Sequence, residues 1–117
     1  ADIVVLATPG GADTHHLMGS DEFSQMQRHA IFVNISRGDV VDEAALVAAL
    51  KVKRIAGAGL DVYEYEPAIP DEFLAMENVT LLPHLGTAAL EVREDMGRMA
   101  LDNVIAMAEG QTPPNVV

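Results

Sequence analysis

AIFVNISRGDVVDEAALVAALK, residues 30–51, decides the fold. Its opening, Ala30 to Ser36, is apolar and β-branched with little alternation, the pattern of a strand covered on both faces. After a short turn the period changes. Asp42 stands where a helix N-cap belongs, Val41 is placed to staple onto Leu46, and alanines and leucines form an apolar stripe over 43–51. Lys51, Lys53 and Arg54 gather at the far end, where positive charge suits the carbonyl pole of a helix.

The same alternation extends in both directions. Upstream, IVVLA (3–7) reads as another strand buried on both faces, TPGGADT (8–14) as a turn, and Ser20 to Met26 as a short helix capped by Ser20 with Asp21 and Glu22 in its first turn. Downstream, IAGAGLDVY (55–63) forms a third strand whose glycines and alanines admit a close neighbour, and VTLL (79–82) a fourth. A last helix over 88–109 carries Val92, Met96, Ala100, Val104 and Met107 on one face and is stopped by Gly110, Pro113 and Pro114. Strands alternating with helices predict an α/β architecture with a parallel sheet.

Composition bounds the function. With 117 residues, half of them hydrophobic, the chain supports one modest core and a single domain. Eighteen acidic against seven basic residues leave a net charge of −11, which repels nucleic-acid phosphates and anionic membrane surfaces, and the few cations form no binding stripe. No nucleic-acid or membrane partner is therefore expected. The absence of cysteine removes disulfide and thiolate chemistry and fits a cytoplasmic protein. The apolar runs fall short of a membrane span.

In parallel sheets of this kind ligands sit at the carboxyl ends of the strands. Those ends carry Thr8, Pro9 and Gly10; Asn34 to Gly38, including Ser36 and Arg37; Asp61, Glu64 and Glu66; and His84 with Gly86. An arginine, several carboxylates and a histidine thus collect on one rim. Each has a plain structural reading taken singly: Arg37 as a loop cap, Asp61 as its bridging partner, His84 as a packing residue. Jointly they form a candidate site, in which either Glu64 or Glu66 could partner His84. The acidic segment 61–72 is expected to be a solvated loop with one or two members taking part in chemistry. His15, His16 and His29 are assigned to the surface, without a metal site. Gly57-Ala58-Gly59 lacks the third glycine of a phosphate-binding turn, since Val62 stands there, and is read as close packing.

Three segments, VNISRGDVVDEAAL (33–46), GLDVYEYEP (59–67) and NVTLLPHLGTAA (78–89), resemble successive signatures of the D-isomer-specific 2-hydroxyacid dehydrogenases, and TPGGADTHHLMG (8–19) resembles the segment before them. SRGDVV and LPHLGTA are most similar to the glyoxylate and hydroxypyruvate reductase branch. The resemblance implies the second half of a Rossmann-like, doubly wound parallel sheet followed by a long C-terminal helix. Residues 1–117 would then be a partial dinucleotide-binding domain. The phosphate-binding turn, the residue that separates NAD from NADP, and the substrate domain are expected to lie before Ala1.

The roles it implies are specific. Arg37 would hold the carboxylate of a 2-oxo acid, His84 would protonate its carbonyl oxygen, and Glu66 would partner His84. The cofactor, NAD or NADP, would be lined by Thr8, Pro9, Ser36, Arg37, Asp61, His84 and Gly86. A homodimer of the full-length protein is also implied. The same architecture serves in corepressors resembling the C-terminal-binding proteins, which sense the cofactor; these carry an aromatic-rich stretch after the histidine, where LGTAA (85–89) stands here. A non-catalytic oligomerisation role is the third alternative.

Overall fold

Four short β-branched or glycine-rich segments pair side by side in the computed structural model, which describes residues 1–116. The elements in chain order are β1 (Ile3–Leu6), α1 (Ser20–Gln25), β2 (Ile31–Asn34), α2 (Glu43–Lys51), β3 (Gly57–Leu60), α3 (Asp71–Leu74), β4 (Val79–Leu81) and α4 (Leu90–Ala108). Single 3-10 turns occupy Ala12–Thr14 and Gly38–Val40. The strands form one parallel sheet in the order β1-β2-β3-β4, as the α/β reading requires. The chain divides after His84 into two compact units.

Register sorts the strand side chains onto two faces. Leu6, Phe32, Ala58 and Leu60 point to one face and pack with Phe23 of α1 and with Ala45, Leu46, Ala49 and Leu50 of α2. Phe23 meets Phe32 edge to face at 5.2 Å between centroids. Val41 and Leu46, the expected staple pair, are both buried in this core. On the opposite face Ile3 (62 % exposed), Val5 (52 %) and Ile31 (37 %) remain open. The expectation of strands buried on both faces is corrected for β1 and β2: α1 and α2 cover the same side, so the second row of apolar side chains has no cover within this unit.

Helix ends follow local chemistry. Asp42 caps α2, its carboxylate accepting the N–H of Ala45 at 3.0 Å. The other end of α2 closes as a Schellman turn: Lys53 takes a left-handed conformation at φ +52, its N–H bonds Leu50 O, and Arg54 N–H bonds Ala49 O. For α1 the cap is Gly19, not Ser20; the Gly19 carbonyl accepts from Phe23, and the Glu22 carboxylate reaches back to the Gly19 N–H. The third strand is shorter than expected, because after Leu60 the chain turns away as the loop 61–66. The acidic segment beyond it contains α3, whose Phe73 is buried, so it is not wholly a solvated loop. In the second unit α4 starts two residues later than expected and buries none of its residues.

Two glycines matter through close approach. A Cβ on Gly57 would lie 2.6 Å from Asn78 O, which confirms the close-packing reading of that strand. A Cβ on Gly38 would lie 1.8 Å from the carbonyl carbon of Tyr63 and 2.3 Å from the Glu64 nitrogen, so the turn after β2 rests directly on the backbone after β3. Neither contact can relax by side-chain rotation. Gly38→Ala should therefore lower unfolding free energy by about 1–3 kcal/mol or more. Gly59→Ala, whose added methyl would meet only Val33 at 3.8 Å, should be neutral or slightly stabilising; urea unfolding of the two variants checks the contrast.

Candidate active site

Because all four strands run in parallel, their carboxyl ends deliver the candidate residues to one edge of the sheet. At the end of β2 the only amide of an otherwise apolar strand is almost wholly buried. Asn34 accepts the N–H and the hydroxyl of Ser36 on its Oδ1, at 3.0 and 2.8 Å, and donates through Nδ2 to the Arg37 carbonyl at 3.0 Å. The turn that presents Arg37 is thereby fixed from beneath. The Arg37 side chain itself is exposed, its Nη1 donating to the Ser36 carbonyl at 2.7 Å.

At the end of β1, Thr8, Pro9, Gly10, Ser36 and Arg37 line a groove of about 620 Å³. The Thr8 hydroxyl is buried there without a protein partner. A buried hydroxyl normally finds one, so Thr8 leaves an unsatisfied polar group beside the groove. A Cβ on Gly10 would lie 2.9 Å from Arg37 Cγ, so the glycine lets the arginine stem fold over the groove wall.

The ends of β3 and β4 are tied together. Asp61 is 8 % exposed, and its carbonyl accepts the N–H of His84 at 2.8 Å. His84 adopts a left-handed backbone at φ +56, uncommon for a residue with a side chain, which turns its ring out of the line of β4. Its Nδ1 lies 2.8 Å from Glu66 Oε2. The other oxygen of Glu66 accepts the Tyr63 N–H at 3.0 Å. The Tyr63 hydroxyl donates towards the carbonyls of Leu82, at 2.8 Å, and Leu60, at 3.2 Å, bracing the two loops against each other.

Partial burial pushes the Glu66 carboxyl up, but hydrogen bonds from His84 and from the Tyr63 N–H, with the charges of His84 and Arg37, outweigh it and hold the group below its ordinary value. The positive charges of His84 and Arg37 thus both act on the Glu66 carboxylate.

Glu64 does not compete for His84. It pairs with His16, whose Nε2 lies 2.9 Å from Glu64 Oε1. The Glu64 N–H donates to the buried Glu43 carboxylate at 3.0 Å. Desolvation raises the Glu43 carboxyl above its usual range, the Glu64 N–H offsets part of this, and the Glu64 charge adds to the rise. The surface assignment of histidines holds for His29, which pairs with Asp2 at 2.6 Å, but His16 is only partly exposed and is joined to the loop after β3. His15 stacks on His16 with centroids 3.9 Å apart and planes 23° from parallel. With Glu64 they form a group of possible metal ligands, yet nearly parallel rings aim their in-plane lone pairs side by side instead of at one point.

A family model described as D-isomer specific 2-hydroxyacid dehydrogenase, NAD binding domain, matches residues 1–86. The chain belongs to that family. It is 48 % identical over 118 aligned positions to glyoxylate reductase of Korarchaeum cryptofilum and 48 % identical to glyoxylate/hydroxypyruvate reductase B of Escherichia fergusonii, in each case with all of this chain and 36 % of the relative covered. The NADPH-dependent glyoxylate/hydroxypyruvate reductase of Sinorhizobium meliloti, solved with NADP and malonate, superposes with a TM-score of 0.87 at 42 % identity, covering 90 % of this chain and 33 % of that one. The chain thus spans about a third of the length of these 2-hydroxyacid dehydrogenases, and the sheet described above is part of their Rossmann-like, NAD-binding fold.

Of the residues that the signatures single out, Thr8, Pro9, Ser36, Arg37, Asp61, Glu66 and His84 all lie in the first unit, at or after the carboxyl ends of its strands. Gly86 belongs to the second unit, in a turn closed by the bond from Ala88 N–H to Leu85 O. Glu43 and Tyr63 escape a search for reactive residues, and Asn34 and Gly38 stand on the rim without being assigned a part. A faint signal existed for Asn34, a lone amide in an apolar strand; nothing in the sequence marks Glu43 as other than a first-turn helix residue.

A carboxylate held low in the folded state stabilises at pH above its unfolded value of 4.5 and loses that contribution as pH falls through the lower folded value. Stability should accordingly drop more steeply below pH 4.5 in the wild-type chain than in Glu66→Gln, and the two curves should run parallel above it. Urea midpoints between pH 3 and 6 test this. The difference will be small, because the pair is more than a third exposed.

Proposed function

We propose that the enzyme to which this chain contributes reduces a small 2-oxo acid of the glyoxylate or hydroxypyruvate type to the D-2-hydroxy acid, with Arg37, Glu66 and His84 as its catalytic residues. The observation that carries this is the 2.8 Å contact between His84 and Glu66 on the rim that also presents Arg37. The names of the relatives support the substrate class.

The chemistry follows from the side chains. A guanidinium recognises a carboxylate with two parallel hydrogen bonds, which makes Arg37 the anchor for the acid end of the substrate. With Nδ1 of His84 committed to Glu66, Nε2 is the nitrogen able to hand a proton to the carbonyl oxygen. The Glu66 carboxylate stabilises the charged imidazole before transfer and fixes its plane. Hydride arriving at the carbonyl carbon is the contribution of NADH or NADPH when bound. Thr8, Pro9, Ser36, Arg37 and Asp61, with His84 and Gly86, are the residues assigned to hold it, and the unpartnered Thr8 hydroxyl fits that use. The reaction consumes one hydride and one proton per 2-oxo acid and leaves the oxidised cofactor.

We further propose that this chain is the second half of a dinucleotide-binding domain. The β1 edge pairs on one side only, and Ile3, Val5 and Ile31 lie open beside it, as expected of a sheet continued by further strands. The full protein is assigned to the cytoplasm, as a homodimer without nucleic-acid partners; among the described residues no helix is long and apolar enough to cross a membrane.

Two outcomes check these readings. In the full-length parent, His84→Gln should reduce kcat by roughly 10²–10⁴-fold while cofactor affinity, measured by fluorescence titration, stays within a few-fold. A variant that keeps turnover overturns the role of His84. The purified 117-residue chain alone should show no NAD(P)H oxidation with glyoxylate or hydroxypyruvate, and measurable turnover would contradict the half-domain reading.

A further inference from the structure

The loop 61–66 carries Glu66, yet little of what holds it comes from Glu66 itself. Its backbone rests on Gly38, its Tyr63 hydroxyl is bonded to Leu82 and Leu60, and its Glu64 N–H is bonded to the buried Glu43 carboxylate. The fourth restraint comes from the far side of the sheet order: His16, in the connection after β1, bonds the Glu64 carboxylate across 48 positions of sequence.

His16 is held for this task at a conformational cost. Its backbone lies at φ +51, a region that side-chain-bearing residues seldom occupy. The strain is sustained by the bond from its N–H to Asp39 O at 2.9 Å, followed by Met18 N–H to Val40 O, which dock the connection onto the turn after Arg37. The His15 ring stacks on the imidazole from the open side. Glu64 is the less exposed member of the pair, its side chain 11 % exposed against 36 % for His16. Strain kept by several independent contacts marks a place where position matters.

We propose that His16 is a positioning residue for the site: through Glu64 it fixes the loop that presents Glu66 to His84. This rests on the reading of Glu66 and His84 as the proton-transfer pair. It adds to that reading a link from the connection after β1, which lines the groove with Thr8 and Pro9, to the loop after β3. One element thus sets both walls of the site. Charged and titratable neighbours of the pair are Asp42, Glu43, Tyr65 and Glu72, which share its surface pocket, and His15. Glu64 raises the Tyr65 hydroxyl through a hydrogen bond and its charge.

The test uses the full-length parent. Asparagine tolerates the left-handed backbone but is too short to reach Glu64, whereas glutamine places its amide nitrogen near the position of Nε2. In His16→Asn the Tyr63 amide, which donates to Glu66, should exchange with solvent about tenfold faster, and the carbon-13 titration of the Glu66 carboxyl should move up towards its ordinary value. His16→Gln should restore both. Asp2→Asn, which removes the charge from the comparable His29 pair at the opposite end of the strands, should change neither. Unaltered Tyr63 exchange and Glu66 titration in His16→Asn would overturn the proposal, as would equal changes in Asp2→Asn, which would mean a merely global loss of stability. Failure of the underlying reading looks different: these amide and carboxyl signals would respond as described, while His84→Gln left turnover of the parent enzyme intact.

Discussion

The backbone of Gly38 lies so close to that of Tyr63 and Glu64 that no side chain fits between them. This approach joins the turn that carries Arg37 to the loop that carries Glu66, two segments whose charges would otherwise sit on separate flexible connections. Parallel pairing brings the strand ends to one edge, but pairing alone leaves a loop free to swing. Backbone seated on backbone removes that freedom without any intervening side chain. The buried Asn34 does the same from below, ordering Ser36 and Arg37 with three hydrogen bonds.

On that frame the three glutamates near the rim acquire different jobs. Glu43 is buried and raised, and serves as an acceptor for the Glu64 N–H. Glu64 pairs with His16. Glu66 is lowered by its hydrogen bonds and nearby positive charge and faces His84. Three equal side chains, one on α2 and two on the loop 61–66, are separated by burial and by partner, the two influences that move carboxyl groups in opposite directions.

The alternation of strands and helices, the Asp42 cap, and the grouping of Arg37, Asp61, Glu66 and His84 on one rim were legible in the sequence because they follow from period, turn chemistry and the geometry of parallel sheets. The burial of β1 was misread, since a continuously apolar strand looks the same whether one or both faces are covered in the chain at hand. The choice between Glu64 and Glu66 was open from the residues alone; two positions apart on a loop, they diverge only through Tyr63 and Glu43, whose parts are long-range. His16 was placed on the surface because adjacent histidines carry no periodic signal, and its partner lies 48 residues away. Family resemblance pointed to Glu66 over Glu64; the residues that hold the loop in place emerged from packing.

The most direct measurement is the structure of the full-length parent bound to its nicotinamide cofactor and oxamate, an unreactive analogue of a 2-oxo acid. The account predicts the oxamate carboxylate on the Arg37 guanidinium and its carbonyl oxygen within hydrogen-bonding distance of His84 Nε2, with Glu66 still on Nδ1. An analogue seated elsewhere, or one whose carbonyl is out of reach of His84, would contradict it.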